Sequence, residues 1–213
     1  MFAEPVHFQV IRIPVPKKAI YTRLGFRIGM TMITPKEQER MDLYIQEASD
    51  IIELKGAIRT FPVKQMSETT VMLDEYTLES RSLARMLYGC PHVLMMGATA
   101  GARIMEAISD ATVSDDLTRA VVLDAAASEM TDSALNWIMS YTDQELRRNS
   151  WKLTKKRFSA GYGDFPIENQ RMIFNLLRLE TIGVSITDTC ILIPEKSVTA
   201  IAGIGTSSMD GAR

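Results

Sequence analysis

The chain has 213 residues, 46% hydrophobic and 23% charged, with a formal net charge of -2. That length and apolar content can bury a core without staples, and the near-neutral charge removes any general electrostatic case for nucleic acid or an anionic membrane surface as partner. Cys90 and Cys190 stand alone with no CxxC, which points to a reducing, cytoplasmic setting, and neither a run of roughly 20 apolar residues nor a basic signal-peptide start is present.

In chain order, HFQVIRIP (7–14) alternates and is rich in branched residues, which predicts a strand. PKKAIYTRLG (16–25) predicts a short helix closed by Gly25. Thr34-Pro35-Lys36-Glu37 supplies a capping threonine, a proline for the first helical position and the glutamate of a capping box. A helix is therefore expected to about Leu54, with Gly56 just past its end. GAIRTFPV and ETTVMLDE predict two strands, and Ser80 to Leu87 a short helix. HVLMMG (92–97) reads as a buried strand and ATAGARIMEAIS as a helix. Ser114-Asp115-Asp116 then caps a much longer helix, from about 115 to 148.

Next comes the loop RFSAGYGDFP (157–166), ahead of the helical run IENQRMIFNLLRLE. Asp164 is expected to cap that helix, with Pro166 in its first turn. Gly183 opens VSITDTCILIP, the turn Glu195-Lys196 leads to SVTAIAGIG, and together they predict a C-terminal β-hairpin. The tail TSSMDGAR is small and polar, and is expected to fray. Strands and helices are mixed rather than alternating, so the expected fold is α+β, mostly antiparallel, as a single domain over 1–213.

Four places carry candidate chemistry. HVLMMGATAGARIMEAI resembles a phosphate-cradling turn, but the spacing is Gly97-x-x-x-Gly101 with no following Walker lysine. A tight strand-to-helix turn explains it better. Cys90 and His92 share a strand face without an orienting third group, and neither His7 nor His92 has metal-ligand company. On the long helix, Leu117, Val121, Ala125, Ser128, Asp132, Leu135 and Met139 recur at three- and four-residue spacing. That puts the Asp132 carboxylate on an otherwise apolar or small stripe, where it needs a cation or donors. The other reading of Asp132 is an exposed or internally paired aspartate. In the loop, Arg157 offers a fork of donors for a carboxylate or phosphate. Gly161 and Gly163 allow close backbone approach, and Tyr162 offers a ring and a hydroxyl.

Residues 157 to 205 carry a family resemblance: an R-x-x-x-G-Y loop, a helix, then IGVSITDT and PEKSV. This arrangement resembles the activation (reactivation) domain of cobalamin-dependent methionine synthase, and more closely the stand-alone proteins of that family. The resemblance implies a bent, antiparallel sheet with flanking helices, binding of S-adenosylmethionine, and docking on the cobalamin-binding module of methionine synthase. There, an electron from a flavodoxin-like donor and the methyl group of S-adenosylmethionine return cob(II)alamin to methylcobalamin. The implied role is that of an accessory subunit in methyl transfer, without methylation of homocysteine by this chain alone. By the same resemblance Arg157 meets the methionyl carboxylate of the ligand, Ala160, Gly161 and Tyr162 shape its pocket, and Asp132 approaches its ammonium. The loop departs from the fused enzymes after the tyrosine, where it continues GDFP. The alternative is a corrinoid-protein-docking module that has lost S-adenosylmethionine.

Overall fold

The structure is a computed structural model that describes residues 1–27 and 30–206. Its centre is decided by period-two alternation. In β5 (His92–Thr99), Val93 and Met95 enter one core while Leu94, Met96 and Ala98 enter another, and all five are buried. A strand apolar on both faces belongs in the middle of a sheet covered on both sides. Accordingly β5 pairs with β2 (Lys55–Met66) on one side and β9 (Ser197–Thr206) on the other. β3 (Thr70–Leu73) and β4 (Tyr76–Glu79) extend the sheet beyond β2, and β6 (Trp151–Phe158) forms the edge beyond β9. β1 (Val6–Phe8) shares an edge of β2 with β3, Val6 opposite Ile58 and Leu73 opposite Val63. All these ladders are antiparallel, as expected.

Around the sheet lie α1 (Lys17–Arg23), α2 (Pro35–Ile51), α3 (Arg81–Leu87), α4 (Arg103–Val113), α5 (Leu117–Arg147) and α6 (Asn169–Leu177). The capping box of α2 forms: Glu37 N–H donates to Thr34 Oγ1 at 3.3 Å, and Thr34 N–H to the Glu37 carboxylate at 2.8 Å. The helix stops at Ile51 rather than Leu54, because Glu53 N–H donates to Ala100 O at 3.0 Å. That tertiary bond starts β2 and overrides the helical pattern.

The long helix α5 spans two cores. Val122, Leu123 and Ala126 pack with Ile20, Ile45 and Ile104 of α1, α2 and α4. One turn further on, Met130, Ala134, Leu135 and Ile138 cover the sheet face of Ile58, Leu94, Met96, Ala202 and Ile204. The opposite face of the sheet, with Phe61, Met95 and Ile201, is covered by Leu83 and Leu87 of α3 and Ile173 and Leu177 of α6. Of the three candidate caps, Asp116 is used. It accepts from Arg119 N–H at 3.1 Å and from the Tyr44 hydroxyl of α2 at 3.0 Å. Asp116→Ala is expected to cost about 1 to 2 kcal/mol, lowering the melting temperature by about 2 to 8 °C. A shift below about 1 °C in a thermal scan would mean that packing alone sets the start of α5.

Three expectations change. The run 7–14 is strand only at its beginning, and Ile11 N–H already bonds Leu54 O at 2.8 Å as the chain turns toward α1. β6, WKLTKKRF, was not anticipated; its lysines mask the alternation. An edge strand favours such charges, and a bulge between Leu153 and Arg157 interrupts its pairing. The C-terminal hairpin is present as β7 (Ser185–Ile186) and β8 (Leu192–Ile193). SVTAIAGIG, expected as its arm, instead becomes β9 at the heart of the main sheet. The tail from 207 onward lies outside the described residues.

Candidate functional site

Residues four apart share a helix face, so Asp124, Ser128, Asp132 and Asn136 form one polar row on α5. Two cations from the sheet meet this row. Lys196, immediately before β9, reaches Asp124 Oδ1 at 2.6 Å and donates to Ser128 Oγ at 2.9 Å. Arg157, near the end of β6, donates through Nη2 to Asp132 Oδ1 and through Nη1 to Asn136 Oδ1 at 2.5 Å, and Met139 Sδ lies 3.7 Å from Nη1. The Arg157 side chain is 20% exposed and that of Asp132 54%. The structure therefore brings together the two charged residues singled out in the sequence, and they pair with each other.

The stripe expected along α5 divides in two. Ala125 and Leu135 are buried, whereas Leu117 and Val121 are each 57% exposed. A mixed three- and four-residue spacing drifts around the helix, so the stripe crosses from core to rim. Asp132 sits at that rim and not in an apolar interior, which is the internally paired reading of this residue.

After β6 the loop 159–165 is built from its own backbone. Gly161 N–H donates to Phe165 O at 2.8 Å and Phe165 N–H to Tyr162 O at 3.0 Å. Gly161 has φ +85, and a Cβ there would meet Ile167 Cδ1 at 3.0 Å, so the turn requires glycine. Ala160 and Phe165 are buried in the core shared with α3 and α6. Tyr162, between them, is 69% exposed.

Asp164 does not cap the helix that follows. α6 begins at Asn169 with no side-chain cap. The Asp164 carboxylate turns instead to the start of α3, accepting from Ser80 Oγ at 2.7 Å, Arg81 N–H at 2.8 Å and Ser82 N–H at 3.2 Å. These donors, the Ser80 hydroxyl first, pull its pKa down to about 2. The local cap signal was outweighed by a tertiary one: three donors converge about 80 residues away in the chain. Asn136 and Lys196 were also not singled out in the sequence. The four-residue row through Asp132 is the signal that points to Asn136.

The remaining candidates have structural explanations. His7 Nε2 lies 2.9 Å from Leu177 O. The Cys90 thiol is buried beside Gly203, with its pKa raised by desolvation, whereas the His92 ring stands edge-on to Trp151 at 5.3 Å. Gly97 lies within β5 opposite Thr199, and Gly101, at φ +83, makes the tight turn toward α4. An open groove of about 900 Å³ runs between α1 and α5. It is lined by Val15, Pro16, Ala19, Arg23 and Glu129 among others, and by none of Arg157, Ala160, Gly161, Tyr162 or Asp132. Among the described residues, no group of three or more His, Cys, Asp or Glu is placed to hold a metal, and no helix is long and apolar enough to cross a membrane.

No family model matches the chain, and no curated protein matches it either. Among solved structures, it is similar to a crystal structure of the MetH reactivation domain bound to AdoHcy, with a TM-score of 0.68. The match covers 95% of this chain and 78% of the other at 11% identity, so the likeness is one of fold. The mostly antiparallel α+β architecture with flanking helices implied by the R-x-x-x-G-Y resemblance is thus the architecture found.

Proposed function

We propose that this chain is a stand-alone reactivation module for a cobalamin-dependent methionine synthase, binding S-adenosylmethionine beside Arg157 and Asp132. One observation carries the reading. In a fold shared with an AdoHcy-bound reactivation domain, a guanidinium and a carboxylate meet four residues ahead of a glycine turn that exposes a tyrosine. A zwitterionic amino-acid end needs one cation and one anion, and a purine needs an aromatic or backbone platform. Arg157, Asp132, the backbone of Ala160 and Gly161, and Tyr162 supply that set.

The work of these residues is binding and orientation. Arg157 takes the ligand carboxylate in exchange for part of its contact with Asp132 and Asn136, and Asp132 turns to the ammonium. The loop then holds the adenosyl end so that the sulfonium methyl is presented outward to the partner. Cobalamin held by the partner, once reduced with an electron from a flavodoxin-like donor, would supply the nucleophile for that methyl. No acid, base or nucleophile is required of this chain, whose contribution is proximity.

Titration calorimetry with S-adenosylmethionine is expected to give one-to-one binding. The ligand at about 100 times its Kd is expected to stabilise the fold by about 2.7 kcal/mol. Absence of both heat and thermal shift would overturn the ligand claim. The second reading, a docking module without the small ligand, is favoured by one observation: Arg157 already has protein partners on Nη1 and Nη2. Retention of a cobalamin-binding module on the immobilised chain, together with silent calorimetry, would select it.

A further inference from the structure

We propose that Asp164 is a positioning residue, clasping the tip of the 159–165 loop to the start of α3 so that Ala160, Gly161 and Tyr162 keep the shape a ligand meets. This rests on the function proposed above.

The clasp is needed because the loop is held unevenly. Its base is fixed by the burial of Ala160 and Phe165 and by the Gly161–Phe165 backbone bond. Its tip, 161–164, is exposed throughout. Within that tip, Asp164 makes the bonds to a distant element. The carboxylate accepts from the Ser80 hydroxyl at 2.7 Å and from the amides of Arg81 and Ser82 at 2.8 and 3.2 Å. A carboxylate is the side chain with enough lone pairs to take all three, and charge-assisted bonds are stronger than neutral ones. The seat itself is firm. Ser80 is 4% exposed and its Oγ also accepts from Leu83 N–H at 3.0 Å, capping α3. Leu83 and Leu87 of that helix pack in the same core as Ala160 and Phe165. Loop and seat are therefore parts of one packed unit, joined at the bottom by apolar contact and at the top by Asp164.

The charged form is the one that clasps. Its pKa is lowered from 3.8 to about 2, so the contribution is complete above about pH 4 and fades as pH falls toward 2. At neutral pH the carboxylate is fully charged, so the clasp is not a pH switch in that range.

The test uses the full chain with Asp164→Asn and Asp164→Ala. Amide exchange without ligand reads the clasp directly: the Arg81 and Ser82 amides, which donate to the carboxylate, and the Gly161, Tyr162 and Phe165 amides, which donate within the loop, are expected to exchange at least tenfold faster in Asp164→Ala. Asp164→Asn falls between, since its oxygen still faces the Arg81 and Ser82 amides. Calorimetry is then expected to show a roughly tenfold loss of S-adenosylmethionine affinity in Asp164→Ala, the price of ordering the tip on binding. Unchanged exchange in both variants would overturn the clasp whether or not the ligand binds. Faster exchange with unchanged affinity would overturn its role in positioning. Failure of the wild type to bind would instead overturn the functional reading, with exchange still deciding the clasp.

Discussion

Arg157→Ala is expected to lower the affinity for S-adenosylmethionine by roughly 10- to 150-fold, the equivalent of the 1.5 to 3 kcal/mol carried by hydrogen bonds to a charged group. The ligand-free melting temperature falls by no more than about 4 °C. These two effects separate because of where the pair sits. Asp132 is 54% exposed, so losing Arg157 leaves a carboxylate that water can solvate, and exposed pairs contribute about 1 kcal/mol or less. A ligand carboxylate, by contrast, loses its cation. Arg157→Lys keeps the charge but not the planar fork, and is expected to recover only part of the affinity. Asp132→Asn is expected to weaken S-adenosylmethionine but not an analogue lacking the ammonium. Equal binding by wild type and Arg157→Ala would place the ligand carboxylate elsewhere on the molecule.

Gly203→Ala is expected to destabilise the fold by about 2 kcal/mol, within the range for overpacked cores, and to lower the melting temperature by about 4 to 8 °C. Gly203 lies inside β9 opposite Val93. A Cβ there would collide with Cys90 Sγ and approach Thr154 Cγ2 to 2.9 Å. Neither neighbour can move away easily. Cys90 is 4% exposed, and the Thr154 hydroxyl accepts from Gly203 N–H at 2.9 Å where the β6 bulge leaves that amide without a ladder partner. Cys90→Ala removes the colliding sulfur, so Cys90→Ala/Gly203→Ala should be more stable than the sum of the single changes by about 1 kcal/mol. Strict additivity in denaturant titrations would show that the strain lies on the Thr154 side.

Local signals located the starts of three helices, though not that of α6. Thr34 with Glu37, Ser80 and Asp116 all cap the helices that follow them, because a cap is made by residues three apart in sequence. Ends and edges were less legible. Leu54 belonged to a helical pattern, but the bond from Glu53 to Ala100 stopped it. The lysines of β6 hid a strand whose place at the sheet edge explains them. In the candidate site, Arg157 and Asp132 were visible as charges wanting partners. That each wanted the other, with Asn136 completing the fork, required the helix and the strand to be laid side by side. Asp164 shows the same limit most clearly: its sequence neighbours offer a helix to cap, and its spatial neighbours offer three better donors.

The sequence alone determined the class of the fold, the long helix, the buried strand that becomes β5 and a glycine-bearing loop after Arg157. Each rests on periodicity, capping or backbone angles, which act over a few residues. Only the tertiary structure decided that SVTAIAGIG joins β5 instead of its own hairpin, that Asp164 seats the loop on α3, and that Arg157 rests on α5. These choices are settled by which buried faces and unsatisfied donors meet once the sheet has closed, and those meetings join residues from about 20 to more than 100 positions apart.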